Sequence, residues 1–274
     1  MCSRSHPIRN DQLNLTRTDL HTRHSNPGSG SIDQWLCRIP GTPLLILMLC
    51  IVATLVTLSI GVTLGDPVFG VEVRPGLVAL FDLDHEGNVP VWFSSTGLSA
   101  AAFLALGCSL VAPEGRRRWH WLGIALLLAA ASLDETASFH ERLGRFVQRT
   151  FDTTGIAHFG WVLPALGMLT FLLGAYLRFL IAQPSAIRLR MTIAAVLYVG
   201  GAVGMEMVGG WFLTAGIEEQ AADTVTYVVL TTIEEGLEMC GIAIGITAIL
   251  MRLQFDLGRT GSSSTAVPDQ VTTR

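Results

Sequence analysis

Six carboxylates sit inside stretches otherwise hydrophobic enough for a lipid bilayer: Asp134 and Glu135 in one, Glu206 in another, and Glu234, Glu235 and Glu238 in a third. A charge in hydrocarbon costs about 2.5–3.5 kcal/mol even on lenient insertion scales, so such residues face a protein interior, a water-filled cavity or a bound cation. Neighbouring carboxylates in low dielectric cannot all stay ionised: a cation lies between them, or some hold protons. The chemistry this pattern points to is the handling of cations or protons.

Spacing refines the picture. On an unbroken helix Asp134, Ser138 and Glu141 share one stripe, and His140 and Glu141 extend a polar path from the buried acids toward the helix end. Glu234 and Glu238 are i, i+4 neighbours and Glu235 and Glu238 are i, i+3 neighbours, so Glu238 can converge with either. Several carboxylates with a histidine also form the ligand set of a dinuclear carboxylate centre, which makes a divalent metal ion a candidate cofactor. The Glu-x-x-His of such centres is absent, and Glu235-x-x-Glu238 would have to replace it. The plain alternative for any one acid is a protonated interhelical hydrogen-bond donor. No residue is assigned a catalytic role.

A second acidic group precedes a hydrophobic run. Asp82, Asp84, Glu86 and Asn88 alternate around Gly87, the order of the first half of an EF-hand calcium loop. Position twelve is Phe93 in place of the bidentate Glu, so what is left is a generic hard-cation contact or a solvated loop leading into a Pro90-initiated helix. Ser94 and Ser95 then enter that helix. They either line the cavity of the buried acids or bond to backbone carbonyls one turn earlier.

The elements that must position these groups are transmembrane helices. Six segments approach the ~20 residues a helix needs to cross about 30 Å of hydrocarbon: 43–65, 90–112, 119–142, 159–182, 190–214 and 224–252. Half of the 274 residues are hydrophobic and the mean hydropathy is +0.49. The expected fold is an all-α integral membrane protein, a bundle of six transmembrane helices over residues 43–253, with disordered cytoplasmic tails over 1–42 and 254–274. All 18 basic residues are Arg. With the N-terminus inside, 14 of them fall in cytoplasmic segments, and only Arg74, Arg142, Arg145 and Arg149 fall outside. Both termini are therefore expected in the cytoplasm, in a multi-pass protein of the inner (cytoplasmic) membrane. At 1.5 Å rise per residue the acids of the third, fifth and sixth spans all come roughly 13–15 Å below the outer surface.

A net charge of −4, with no basic patch interleaved with aromatics, gives no footprint for nucleic acid. The five Cys show no zinc or disulfide spacing. The expected partners are the lipid bilayer and cations or protons.

The run Phe81-Asp82-Leu83-Asp84-His85-Glu86-Gly87-Asn88-Val89-Pro90-Val91-Trp92-Phe93-Ser94-Ser95, taken with Ser132-Leu133-Asp134-Glu135 and His140-Glu141, resembles a family of uncharacterised bacterial multi-span membrane proteins. The resemblance covers most of residues 75–250. It implies that these motifs act as a unit, and it brings no activity. Leu133-Asp134-Glu135 with Phe139-His140 is also faintly similar to the membrane hydrolases that include alkaline ceramidases, but their late HxxxH zinc pair has no counterpart here.

Three functions fit these residues. The first is cation or proton-coupled transport through the acidic site, with the pairs at 134/135 and 234/235 placed as an inverted three-plus-three repeat would place them. The second is a membrane-embedded metal-dependent enzyme acting at the outer leaflet. The third is a non-catalytic structural or sensory protein.

Overall fold

A computed structural model describes residues 39–215 and 225–264. The described residues are helical, without strands. Helix α1 (Gly41–Phe69) starts after Pro40 and closes on Gly70, whose φ of 64° is one that glycine adopts without strain. The short α2 (Pro75–Phe81) follows. Helix α3 (Val89–Val111) is capped by Asn88, whose side chain accepts from the Val91 N–H, and Pro90 sits in the first turn, where no amide proton is needed. Then come α4 (Arg116–Ala137), α5 (Phe139–Phe151), a 3-10 turn (Gly155–Ala157) and α6 (Val162–Ile181). Helix α7 (Ser185–Val199) runs through a π-helical segment, Gly200–Met205, into α8 (Glu206–Thr214), and α9 spans Val225–Ser264.

Five of these units are long and apolar enough to cross a membrane: Gly41–Asp66, Val89–Val111, Val162–Ile181, Ser185–Thr214 and Val225–Arg259. The pair α4 and α5 makes a sixth only if counted as one bent unit, because the two meet at 74°. Large apolar side chains such as Phe103, Leu110, Phe171 and Val196 lie bare on the bundle's outside. Where the surrounding solvent is lipid, such a surface carries no penalty.

The bend corrects the unbroken helix expected over 119–142. Ser138 adopts φ 49°, ψ 47°, so the chain turns there, and Glu141 no longer shares a stripe with Asp134. The cause is local. Asp134 Oδ1 accepts from the His140 backbone N–H, which turns the Asp134 carboxylate into the cap of a new helix. That helix is amphipathic. Phe139, Leu143 and Phe146 are exposed on it alongside Arg142, Arg145 and Arg149, the pattern of a helix lying in an interface and not crossing it.

Helix α9 is the axis of the bundle and packs against α1, α3, α7 and the π segment. Leu98, Ala101, Ala105 and Cys108 of α3 meet Ile242, Ile246, Ile249 and Leu253 of α9, and Trp121 and Phe179 close the same core edge-to-face at 5.2 Å. Two glycines let helices come unusually close. A β-carbon at Gly241 would lie 2.8 Å from the Tyr198 nitrogen and 2.9 Å from the Ala194 oxygen, and one at Gly201 would lie 2.7 Å from the Glu234 oxygen. The α9 helix also continues to Ser264, so residues 254–264 of the expected tail are helical. The reason is a buried pair: Arg252, 3% exposed, donates from Nε and Nη2 to both oxygens of Asp256, one turn on. Residues 1–38 and 265–274 of the expected tails lie outside the described residues.

Candidate functional site: an acidic chamber

The six acids singled out in the sequence line one cavity of about 570 Å³. Asp134 and Glu135 enter it from the end of α4, Glu206 from the start of α8, and Glu234, Glu235 and Glu238 from consecutive turns of α9. His140 and Glu141 line it from α5, and Asp84 and Glu86 from the loop before α3. That loop is exposed at His85 and Glu86, so the chamber reaches the protein surface there.

The acids fall into two groups. Those nearer the mouth already have basic partners. Asp134 Oδ2 lies 2.8 Å from His140 Nδ1, and Glu141 accepts from Arg145 Nη1 at 2.8 Å. Burial of the His140 ring opposes its protonation, but the hydrogen bond and charge of Asp134 outweigh burial and hold His140 above the ordinary histidine range. His140 also meets Trp161 edge-on, with centroids 5.1 Å apart, and the Trp161 indole N–H donates to Glu206 Oε1 at 3.2 Å.

Deeper in, partners run out. The second oxygen of Glu206 is buried with no hydrogen bond among the described residues. Glu238 is 9% exposed, and no N–H, hydroxyl or cation among the described residues reaches its carboxylate. The π-helical segment passes close beside it. Its Gly201 leaves room for the Glu238 side chain, since a β-carbon there would come within 2.7 Å of Glu238 Cγ. Segments of π-helix inside α-helices recur at functional sites.

Four outer-loop and helix candidates do not line the chamber. Asp82 accepts from the Asp84 backbone N–H and pairs with His85, and Asn88 is spent on capping α3 while its amide donates to the Asp82 carbonyl. The alternating acids of this loop are thus turn and cap chemistry at two positions, and only Asp84 and Glu86 face the cavity. Ser95 instead clamps α3 to α4 through Ser132 and Thr136. Ser94 is buried beside Glu135, outside good hydrogen-bonding geometry.

Aromatic residues that the sequence reading passed over complete the walls: Phe159, Trp161, Tyr198 and Tyr227. The Tyr227 hydroxyl donates to Asp84 Oδ1 at 3.3 Å. On the other side of that contact lies a second cavity of about 630 Å³, bounded by α1, α2 and the start of α9. Among the described residues no three His, Cys, Asp or Glu side chains come together as a ready-made metal site.

Fold and chamber together define a helical bundle of membrane-spanning dimensions with an acidic cavity toward one end. The chain belongs to the family described as Domain of unknown function (DUF8692), whose model matches residues 44–253. No curated protein and no solved structure matches it.

Proposed function

We propose that the chamber binds a cation or protons, and that the protein is a carrier which moves them across the membrane. The observation that carries this reading is Glu238, nine-tenths buried, without a donor or cation among the described residues, and lining a cavity with eight other acids. A carboxylate so placed is costly unless it takes up a proton or a cation, and intramembrane acids of this kind mark ion paths and proton relays. The arginine distribution supports a mouth on the outer side of an inner (cytoplasmic) membrane, with both termini cytoplasmic, α4 as the third of six spans and α5 along the interface. The paired acids at the mouth are a structural rim, and the unpaired acids below are the binding floor. Because the side chains do not converge on a metal position, protons or a loosely held cation fit better than a hydrolytic metal centre.

The test is reconstitution of the full chain in vesicles enclosing a pH-sensitive dye, with a proton or cation gradient imposed. Flux above that of empty vesicles is expected, abolished by Glu238→Gln and reduced by Glu206→Gln. Equal signals from the protein, the Glu238→Gln variant and empty vesicles would refute transport.

A further inference from the structure

The walls of the chamber narrow the class of cation, provided the chamber binds cations at all. We infer that it takes a small organic ammonium, of the alkylamine or diamine class. Its charged nitrogen sits on the Glu234–Glu238 floor, and its carbon skeleton lies against Phe159, Trp161 and Tyr198.

Size comes first. A cavity of about 570 Å³ falls in the range of about 300–1,000 Å³ that small-molecule sites occupy. A bare hard cation instead needs about six to eight oxygens converging within roughly 2.3–2.6 Å, and among the described residues no three acidic, His or Cys side chains are grouped to hold one. The chemistry of the lining comes next. Four aromatic rings, Phe159, Trp161, Tyr198 and Tyr227, share the cavity with Met168, Leu230 and the carboxylates. Aromatic faces attract ammonium groups through the ring quadrupole, and more strongly once water is excluded. A hard metal ion needs oxygen ligands to replace its water, which apolar walls do not supply, whereas an alkylammonium uses both the rings and the acids.

The third point is availability. Asp134 and Glu141 at the rim are already paired with His140 and Arg145, but Glu238 is buried, unpartnered among the described residues, and faces the cavity. Glu234 stands one turn before it on the same face of α9, so two carboxylates lie about 5–6 Å apart at their β-carbons, a span that a short diamine can bridge. The hydrogen bond from Trp161 to Glu206 orients the indole, so the wall is preorganised.

The experiment uses the purified full chain in detergent, with calorimetric titration and thermal unfolding in parallel. The probes are butylamine hydrochloride, 1,4-diaminobutane dihydrochloride and tetramethylammonium chloride, against NaCl at matched ionic strength and against MgCl2 and CaCl2. Saturable binding of at least one ammonium probe is expected, with a rise in unfolding midpoint that sodium does not give. Glu238→Gln should weaken that binding by about tenfold or more, Trp161→Leu by several-fold, and Trp161→Phe should retain most of it. The leucine and phenylalanine pair keeps the test informative should the Glu238 variant fold poorly. Saturable binding by magnesium or calcium alone, or a response to pH alone, overturns the organic class and leaves the cation or proton reading standing. No response to ammonium, metal or proton overturns both. Equal ammonium binding by the Trp161→Leu variant and the parent chain also overturns the proposal.

Discussion

Replacing Gly201 with Ala tests whether the chamber floor is built by the close crossing of the π-helical segment and α9. The added β-carbon would lie 2.7 Å from the Glu234 carbonyl oxygen, 2.7 Å from Glu238 Cγ and 3.2 Å from the Glu238 nitrogen. Ordinary contact begins at 3.4 Å, so the crossing must open by about 0.7 Å or the Glu238 side chain must leave its place. The carbonyl oxygen is held in a helix and cannot rotate away. Overpacking of this kind costs about 1–3 kcal/mol, and the variant should lose stability by that amount. Gly200 and Gly204 supply the controls, because a β-carbon at either meets nothing within 4 Å. Alanine there should be neutral or stabilise by about 0.4–1 kcal/mol through the unfolded chain. Unfolding in detergent, followed by tryptophan fluorescence for all three variants, reads the difference in sign. Gly201→Ala should also lower cation or proton binding, since it displaces Glu238. If Gly201→Ala unfolds together with Gly204→Ala and binds normally, the tight crossing does not build the floor.

Two further outcomes follow from the pairs at either end of the bundle. Protonated His140 is held by Asp134 above the ordinary histidine value of 6.5, so this contribution to stability is complete below about pH 6.5 and fades as pH rises through the raised value. Unfolding midpoints measured between pH 6 and 9 should therefore fall with pH in the parent chain, and Asp134→Ala should be less stable with a flatter profile; parallel profiles would refute the pairing. At the other end, Arg252→Met removes a charge-assisted pair whose two side chains are only 4% and 12% exposed, and it should cost about 1.5–3 kcal/mol in chemical unfolding. A loss below about 1 kcal/mol would show that the pair is solvated like a surface bridge.

Much of this architecture could be read in advance because hydropathy and depth run along the chain in one dimension. Long apolar runs located the membrane-length helices, and counting residues from their ends placed acids of three helices at one level, where the structure has them lining one cavity. What could not be read depended on local bonding. Periodicity carries straight through Ser138, and the Asp134 cap of the new helix reaches six residues along the chain, yet Phe139, Leu143 and Phe146 interleaved with three arginines mark an amphipathic helix that starts there. The Asp82–Asn88 loop invited a cation reading from its alternating oxygens, because sequence cannot tell an oxygen that caps a helix from one left free. Trp161, Tyr198 and Tyr227 were passed over because aromatics near span ends usually serve as interfacial anchors, and only the packing of α6, α7 and α9 turns them toward the acids. The run Gly200, Gly201 and Gly204 was the available hint of the π-helical segment, since three glycines in five residues weaken a regular α-helix.

The floor glutamates and the Arg252–Asp256 pair belong to one uninterrupted helix. Fourteen residues separate Glu238 from Arg252, about 21 Å along an axis that resists compression. A rod of this kind delivers motion at full amplitude: whatever slides or tilts α9 by an ångström to seat a guest among the acids moves the arginine at the far end by a comparable distance. The two faces of the bundle are thereby mechanically joined through a single piece of backbone, without any relay of side chains between them.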